Sequence, residues 1–298
     1  IIMNYSFNVT PQDEGNVTVD IPADIAQDEN DEGNKEAKQF VINYDISNPE
    51  PKLSWNIDSL TNKTKIPFDI KFEEFVKDLL SSDYKLENCE IDSFSGKDSL
   101  YYVEVSPIET GMLKIQLPES SLYDYAGNPN SISNQLSVIY DGIIPDTGRV
   151  NDGLTNDVDF QVSNKSINGY WSGFKDSQTG IKEYKWAIGT KPGGVDVQSW
   201  KSVNLDQMAT NDNLILEDIR YYVSVIAVDS AGNESDYVSS DGVKVDTKSP
   251  LAPKKASASA GDMSISVRWT SNSDQDLYKY IIYRSEISGF NPVNTDSV

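Results

Sequence analysis

This chain repeats itself. Tyr5, Pro11, Gly15 and Pro22 return as Tyr101, Pro107, Gly111 and Pro118, each displaced by 96 residues (101 against 5). The register holds further on, where Asp28 matches Asp124, Gln39 matches Gln135, and Tyr44-Asp45 matches Tyr140-Asp141. Such a period is far too long for one turn of a solenoid and suits one β-sandwich of ~100 residues. Inside the unit, Val17, Val19 and Ile21 alternate with Thr18 and Asp20, and Leu113, Ile115 and Leu117 alternate with Lys114 and Gln116. Period two predicts strands with one buried and one wet face. Gly15 and Gly111 stand just before these strands, where a hairpin turn needs positive φ. Pro22 and Pro118 close them, because proline brings no N–H to a ladder.

The first unit starts in mid-pattern, so residues 1–45 are expected to be the C-terminal part of a repeat and 46–141 a whole one. After Asp141 the pattern changes. Residues 159–163, 184–188 and 221–228 are β-like runs bounded by turn clusters, and they define a different module over 142–248. Beyond the linker at 245–253, residues 264–269 and 278–284 read as two strands, the N-terminal part of a further domain at 249–298. Only residues 72–80 have helical spacing, with apolar positions 72, 75, 76, 79 and 80, and they predict one short helix inside the second unit. The expected fold class is all-β: tandem sandwiches arranged as an elongated rod, with partial domains at both ends.

These segments resemble known families. Leu117-Pro118 through Asp124-Tyr-Ala-Gly127-Asn128 resembles the closing stretch of Ig-like repeats in large bacterial surface proteins. The first unit departs from it, with residues 28–34 in place of the short turn. Trp171-Ser-Gly-Phe-Lys-Asp176, Gly180-Ile181, Tyr184-Lys-Trp-Ala-Ile-Gly-Thr190 and Val228-Asp-Ser-Ala-Gly-Asn233 resemble a fibronectin-III-like module common in the same proteins. Pro250, Pro253, Trp269 and Tyr280-Ile-Ile-Tyr-Arg284 resemble the front half of a fibronectin type III domain, with Trp269 as its core tryptophan. The resemblance implies a non-catalytic structural or adhesive spacer of a secreted or cell-surface protein. Its partners would be neighbouring modules, and either surface polysaccharide or other copies of itself. Two further readings are a carbohydrate-binding accessory region of a polysaccharide-degrading enzyme, which needs exposed aromatic platforms, and a filament or surface-layer subunit, which needs a large apolar interface.

Composition narrows the chemistry. The chain carries 47 acidic against 25 basic residues, a net charge of −22. That balance argues against nucleic acid as a partner, since affinity there comes from Lys and Arg neutralising phosphates. Histidine is absent, which removes the commonest general base and the commonest zinc ligand. Cys89 is the only cysteine, so no internal disulfide forms, and it reads as a small buried strand residue. No window approaches the ~20 apolar residues of a membrane helix. With no Gly-x-Ser-x-Gly elbow, no nucleophile stands out, and an enzyme is not expected.

Calcium is the one cofactor the sequence suggests. Asp28, Asn30 and Glu32 offer oxygens at alternate positions with Gly33 at the sixth, as a calcium loop would. The twelfth position is Gln39 rather than a bidentate glutamate, and a solvated acidic hairpin is the competing reading. Asp45, Asp141 and Asp246 each close a module. One carboxylate per junction is too few for a hard cation unless folding brings others near, Asp24, Asp146 or Asp241 among them. Asp124-x-Ala-Gly-Asn128 and Asp229-x-Ala-Gly-Asn233 read as turns: the aspartate accepts local backbone hydrogen bonds and the glycine supplies positive φ. Gly189-Thr-Lys-Pro-Gly-Gly194 lacks the Gly-Lys-Ser/Thr ending of a phosphate loop and reads as a strand-to-strand turn. Trp171, Phe174, Trp186 and Trp200 crowd the third module. Trp200, in the turn-rich stretch 195–201, is the candidate exposed ligand platform, and Trp186 the candidate core residue.

Overall fold

The computed structural model describes residues 4–274 and 277–291; the two end segments expected at 1–45 and 249–298 fall partly outside them. The chain is a tandem array of β-sandwich modules. Near its start, Gly15–Val19 pairs antiparallel with Phe40–Tyr44, setting Val17 against Ile42. The repeat that follows is a two-sheet sandwich. One sheet runs Lys52–Ser54, Ile66–Lys71, Leu100–Pro107, Cys89–Lys97; the other runs Leu60–Thr61, Leu136–Tyr140, Gly111–Gln116, Lys85–Glu87. The alternation seen in the sequence is what the sheets use: Ile66, Phe68 and Ile70 from one face meet Leu113, Ile115 and Leu117 from the other, all buried.

Gly111 does take a positive φ (146°), yet it does not make a hairpin. Leu100–Pro107 and Gly111–Gln116 lie in different sheets, so the turn between them carries the chain across the sandwich. Asn88 holds that crossing, its side chain donating to the Glu109 carbonyl at 2.8 Å and accepting from the Glu109 N–H at 3.1 Å.

The helix expected over residues 72–80 is not formed. Its amides are committed to distant partners: Phe72 N–H donates to the Ser99 carbonyl, Val76 to Asp98 and Lys77 to Tyr123. Phe72, Val76 and Leu79 are buried, whereas Phe75 and Leu80 point to solvent. So short a segment closes few i→i−4 bonds, nucleation costs more than the helix returns, and the tertiary bonds win. Only a 3-10 turn at Ser81–Asp83 follows.

The next module sets Arg149–Asp152, Ile167–Ser172 and Met208–Asn211 against a larger sheet ordered Phe160–Gln161, Val243–Val245, Arg220–Asp229, Ile181–Gly189, Gln198–Ser202. Trp171, Trp186, Ile188, Val223 and Val225 fill the space between. Tyr221 turns its hydroxyl back to accept the Glu217 N–H at 2.9 Å, a tyrosine corner of the kind Ig sandwiches carry. Residues 190–194 lie in the connection between two antiparallel strands, with Gly189 ending the first of them. Among the described residues no strand ladder joins this module to the previous one, and their cores share no residue. Past it, Lys254–Gly261 pairs with Ser264–Thr270, and Trp269 packs edge-on against Tyr280 at 5.3 Å between centroids.

Candidate junction sites

The loop at 28–33 closes upon itself. Asp28 Oδ1 accepts the N–H groups of Asn30 (2.8 Å) and Glu32 (3.0 Å), and Gln27 bridges Gly33. Those bonds, Glu32's first, hold the Asp28 carboxyl below its usual pKa. Asp28 and Glu32 belong to no cluster of three acidic side chains among the described residues. Asn34 pins the loop from behind: its Oδ1 accepts from Ile25 and Ala26, and its Nδ2 donates to the Pro22 carbonyl.

The matching loops further along are built the same way. Asp124 Oδ1 accepts from the N–H of Gly127 (2.5 Å) and Asn128 (2.8 Å), and Asp229 Oδ1 from Gly232 (2.6 Å) and Asn233 (2.8 Å). Gly127 and Gly232 have φ of 102° and 97°, so a side chain there would be strained. This much is the turn chemistry that the sequence suggests. The asparagines add something else. Asn128 Nδ2 donates to Asp124 Oδ2 (2.8 Å) and also to the main-chain carbonyl of Asp45 (3.1 Å). Asn233 Nδ2 donates to Asp229 Oδ2 (2.7 Å) and to the carbonyl of Asp141 (2.9 Å). Each motif therefore ends on the aspartate that closes the preceding repeat.

Carboxylates gather at the same two places. Asp45, Glu74 and Asp124 bring one oxygen each within 4.8 Å of the others, and Asp141, Asp176 and Asp229 do likewise. Burial, then the charges of Asp45, Asp124 and Glu14, raises the Glu74 pKa. In the second group Asp141 Oδ2 accepts from Thr179 Oγ1 (2.8 Å), and Asp176 Oδ1 accepts from the N–H groups of Thr179 and Gly180. Oxygen-only donor sets of this kind suit hard divalent ions such as calcium or magnesium.

Of the module-closing residues named from the sequence, Asp45 and Asp141 thus acquire neighbours, and Asp246 does not among the described residues. Asp24 and Asp146 join neither group; Asp241 joins a different one, with Asp152 and Asp157. Glu74, Asp124, Asp176 and Asp229 were not legible as junction residues. A signal existed: 17 residues separate the motif aspartate from the closing aspartate in each repeat (45 against 28, 141 against 124, 246 against 229).

The aromatic candidates resolve differently. Trp171, Phe174 and Trp186 are buried in the core. Trp200 is half-buried on the strand Gln198–Ser202, so it is not the turn-borne, exposed platform expected of it. The turn formers just before it suggest a loop in the sequence, but its backbone lies on a strand paired with Ile181–Gly189. Cys89 is buried, and desolvation pushes its thiol up to about 11.

No family model matches the sequence, and no curated protein matches it. Among solved structures, the chain is similar to domains A168-A170 from titin at 16% identity, over 80% of this chain and 76% of that one, with a TM-score of 0.44. It is also similar to the FN1-FN3 domains of chicken CNTN1 at 15% identity, over 76% of each chain, with a TM-score of 0.27.

Proposed function

We propose that this chain is a non-catalytic spacer of an extracellular protein, in which each module is clasped to the one before it by its Asp-x-Ala-Gly-Asn loop. The observation that carries the reading is the double hydrogen bond of Asn128 and of Asn233. In each, one amide hydrogen is held by the motif's own aspartate and the other reaches the carbonyl that ends the preceding repeat. The aspartate is itself fixed by two backbone N–H groups, so the amide is oriented before it meets the neighbour, and little entropy is lost on docking. One neutral hydrogen bond contributes about 0.5–1.5 kcal/mol net, enough to bias a junction a few-fold to roughly tenfold toward one orientation. The net charge of −22 keeps such a segment soluble and discourages self-association. A bacterial-surface or adhesive setting is supported by the resemblance of the 117–128 and 171–233 segments alone. The burial of Trp171, Phe174 and Trp186, three of the four aromatic candidates, favours the spacer over carbohydrate binding.

The test is small-angle scattering and residual dipolar couplings on the chain carrying Asn128→Ala and Asn233→Ala. The expected result is intact modules with a broader spread of inter-module orientations. Unchanged couplings between modules would refute the clasp.

A further inference from the structure

A third acidic group stands apart from both junction groups and shares no residue with them. Asp152 ends the strand Arg149–Asp152, Asp157 closes the loop that follows, and Asp241 sits in the turn before Val243–Val245. One carboxylate oxygen from each comes within 4.8 Å of the other two. Asp157 and Asp241 are open to solvent, but Asp152 is only 1% exposed. Its Oδ2 accepts the buried Gly242 N–H at 2.9 Å, and the Ser240 hydroxyl faces the carboxylate. Its Oδ1 is buried with no hydrogen-bond partner at all.

That oxygen is the anomaly. A buried carboxylate normally spends all its lone pairs on donors, because desolvating an unpaired charge is costly. Here a desolvated carboxylate with one unpartnered oxygen stands beside two further negative charges. None of the ion pairs among the described residues involves Asp152, Asp157 or Asp241. The neighbouring guanidinium of Arg220 is used elsewhere: its Nη1 donates to the main-chain carbonyls of Asp241 and Gly242. The surrounding backbone is fixed independently. Asp157 Oδ1 accepts the Asp152 N–H at 3.2 Å. Gly242, at φ 93°, has no room for a side chain, since a Cβ would meet the Tyr222 ring and the Arg220 stem at 2.8–2.9 Å. The three carboxylates are thus held together by the fold, with one buried oxygen left over.

We propose that Asp152, Asp157 and Asp241 bind a hard divalent cation, calcium in preference to magnesium, and so tie the 153–157 loop to the turn at 241–242. All donors are oxygens, which excludes the soft metals that prefer sulfur or imidazole. The set is irregular and half open, which calcium tolerates by adding water and carbonyl ligands, whereas magnesium demands a near-ideal octahedron. A site of three carboxylates with solvent completing the shell belongs to the weak extracellular range, with a Kd of roughly 0.1–1 mM.

The test uses the full chain, freed of metal by chelation, in isothermal titration with calcium chloride and in calorimetric melting with and without millimolar calcium. The comparison is with the double variant Asp157→Asn, Asp241→Asn. Both positions are solvent-accessible, and the amide oxygen that replaces the Asp157 carboxylate can still accept the Asp152 N–H, so the module still folds. Asp152→Asn serves as a second, single variant. The expected result is that wild type takes up one more equivalent of calcium than either variant, and that calcium raises the melting transition of the 142–248 module further in wild type than in either variant. Calcium bound at the junction groups would be common to all the proteins and cancel in the comparison. Equal stoichiometry and equal shifts in wild type and variants would overturn the proposal. So would a shift that sodium chloride at matched ionic strength reproduces in full, since that would be charge screening alone.

Discussion

Tyr84 and Tyr221 make a pair of opposite sign. Both are buried in a sandwich core, 8% and 4% exposed. Tyr84 packs edge-on against Phe68 (5.9 Å between centroids) and Phe94 (6.3 Å), but its hydroxyl is buried with no hydrogen-bond partner, and burial raises its pKa. Tyr221 has the same phenol in the same kind of core, and its hydroxyl accepts the Glu217 N–H. Replacing either by phenylalanine removes one oxygen and leaves the ring packing in place. At Tyr84 the change removes a desolvated group that makes nothing in return, a penalty of about 1–3 kcal/mol. Tyr84→Phe should therefore stabilise the 46–141 module by about 1–2 kcal/mol once the lost dispersion contacts are allowed for. For a domain of this size each kcal/mol moves Tm by roughly 4–8 °C, so the rise is measurable by calorimetry. Tyr221→Phe loses a made hydrogen bond and should cost the 142–248 module about 0.5–1.5 kcal/mol. The two variants also assign the two melting transitions, since each should move one and leave the other. A Tyr84→Phe protein that melts lower than wild type would refute the reasoning, because it would mean the hydroxyl is satisfied in solution. So would a Tyr221→Phe protein of unchanged stability.

Other outcomes follow from equally specific contacts. Gly169→Ala would bring a Cβ to 2.7 Å from Val223 Cγ1 in a closed core, and chemical denaturation should show a loss of about 1–3 kcal/mol from overpacking. Cys89, its side chain buried and its thiol pushed up to about 11, should resist a thiol reagent at mildly alkaline pH in the native chain and react at once in denaturant; fast native labelling would count against its placement. Ser133→Ala removes the hydroxyl that accepts the buried Leu117 N–H at 2.9 Å and should cost about 1–3 kcal/mol, whereas Ser133→Thr, which keeps the acceptor, should cost less in the same melts.

What is local and periodic can be read from the residues alone. Alternation over 113–117 specifies which face of a strand is buried, because side chains on a pleated backbone alternate whatever lies above them. The 96-residue register specifies a repeated sandwich. The turn chemistry of residues 124–128 and 229–233 is written in the residue types, since an aspartate accepting from the N–H groups a few residues on needs no tertiary partner. Where local preference and long-range bonding disagree, reading the sequence alone fails. Residues 72–80 have helical spacing, yet Ser99, Asp98 and Tyr123 offer their amides carbonyls from across the module, and no pattern within so short a stretch reveals them. Trp200 looks like a loop residue until a neighbouring strand recruits its backbone through Ile188–Gln198 and Trp186–Lys201 pairing. Contacts at the candidate sites are of this second kind. Asn128 meets Asp45 across 83 positions and Gly242 meets Asp152 across 90, so the first belongs to the arrangement of modules, the second to the fold of a single module, and neither to any local segment. Carboxylates repel, and a chain assembles three of them within 4.8 Å only when the sandwich around them fixes their backbones; that placement was the tertiary structure's to decide.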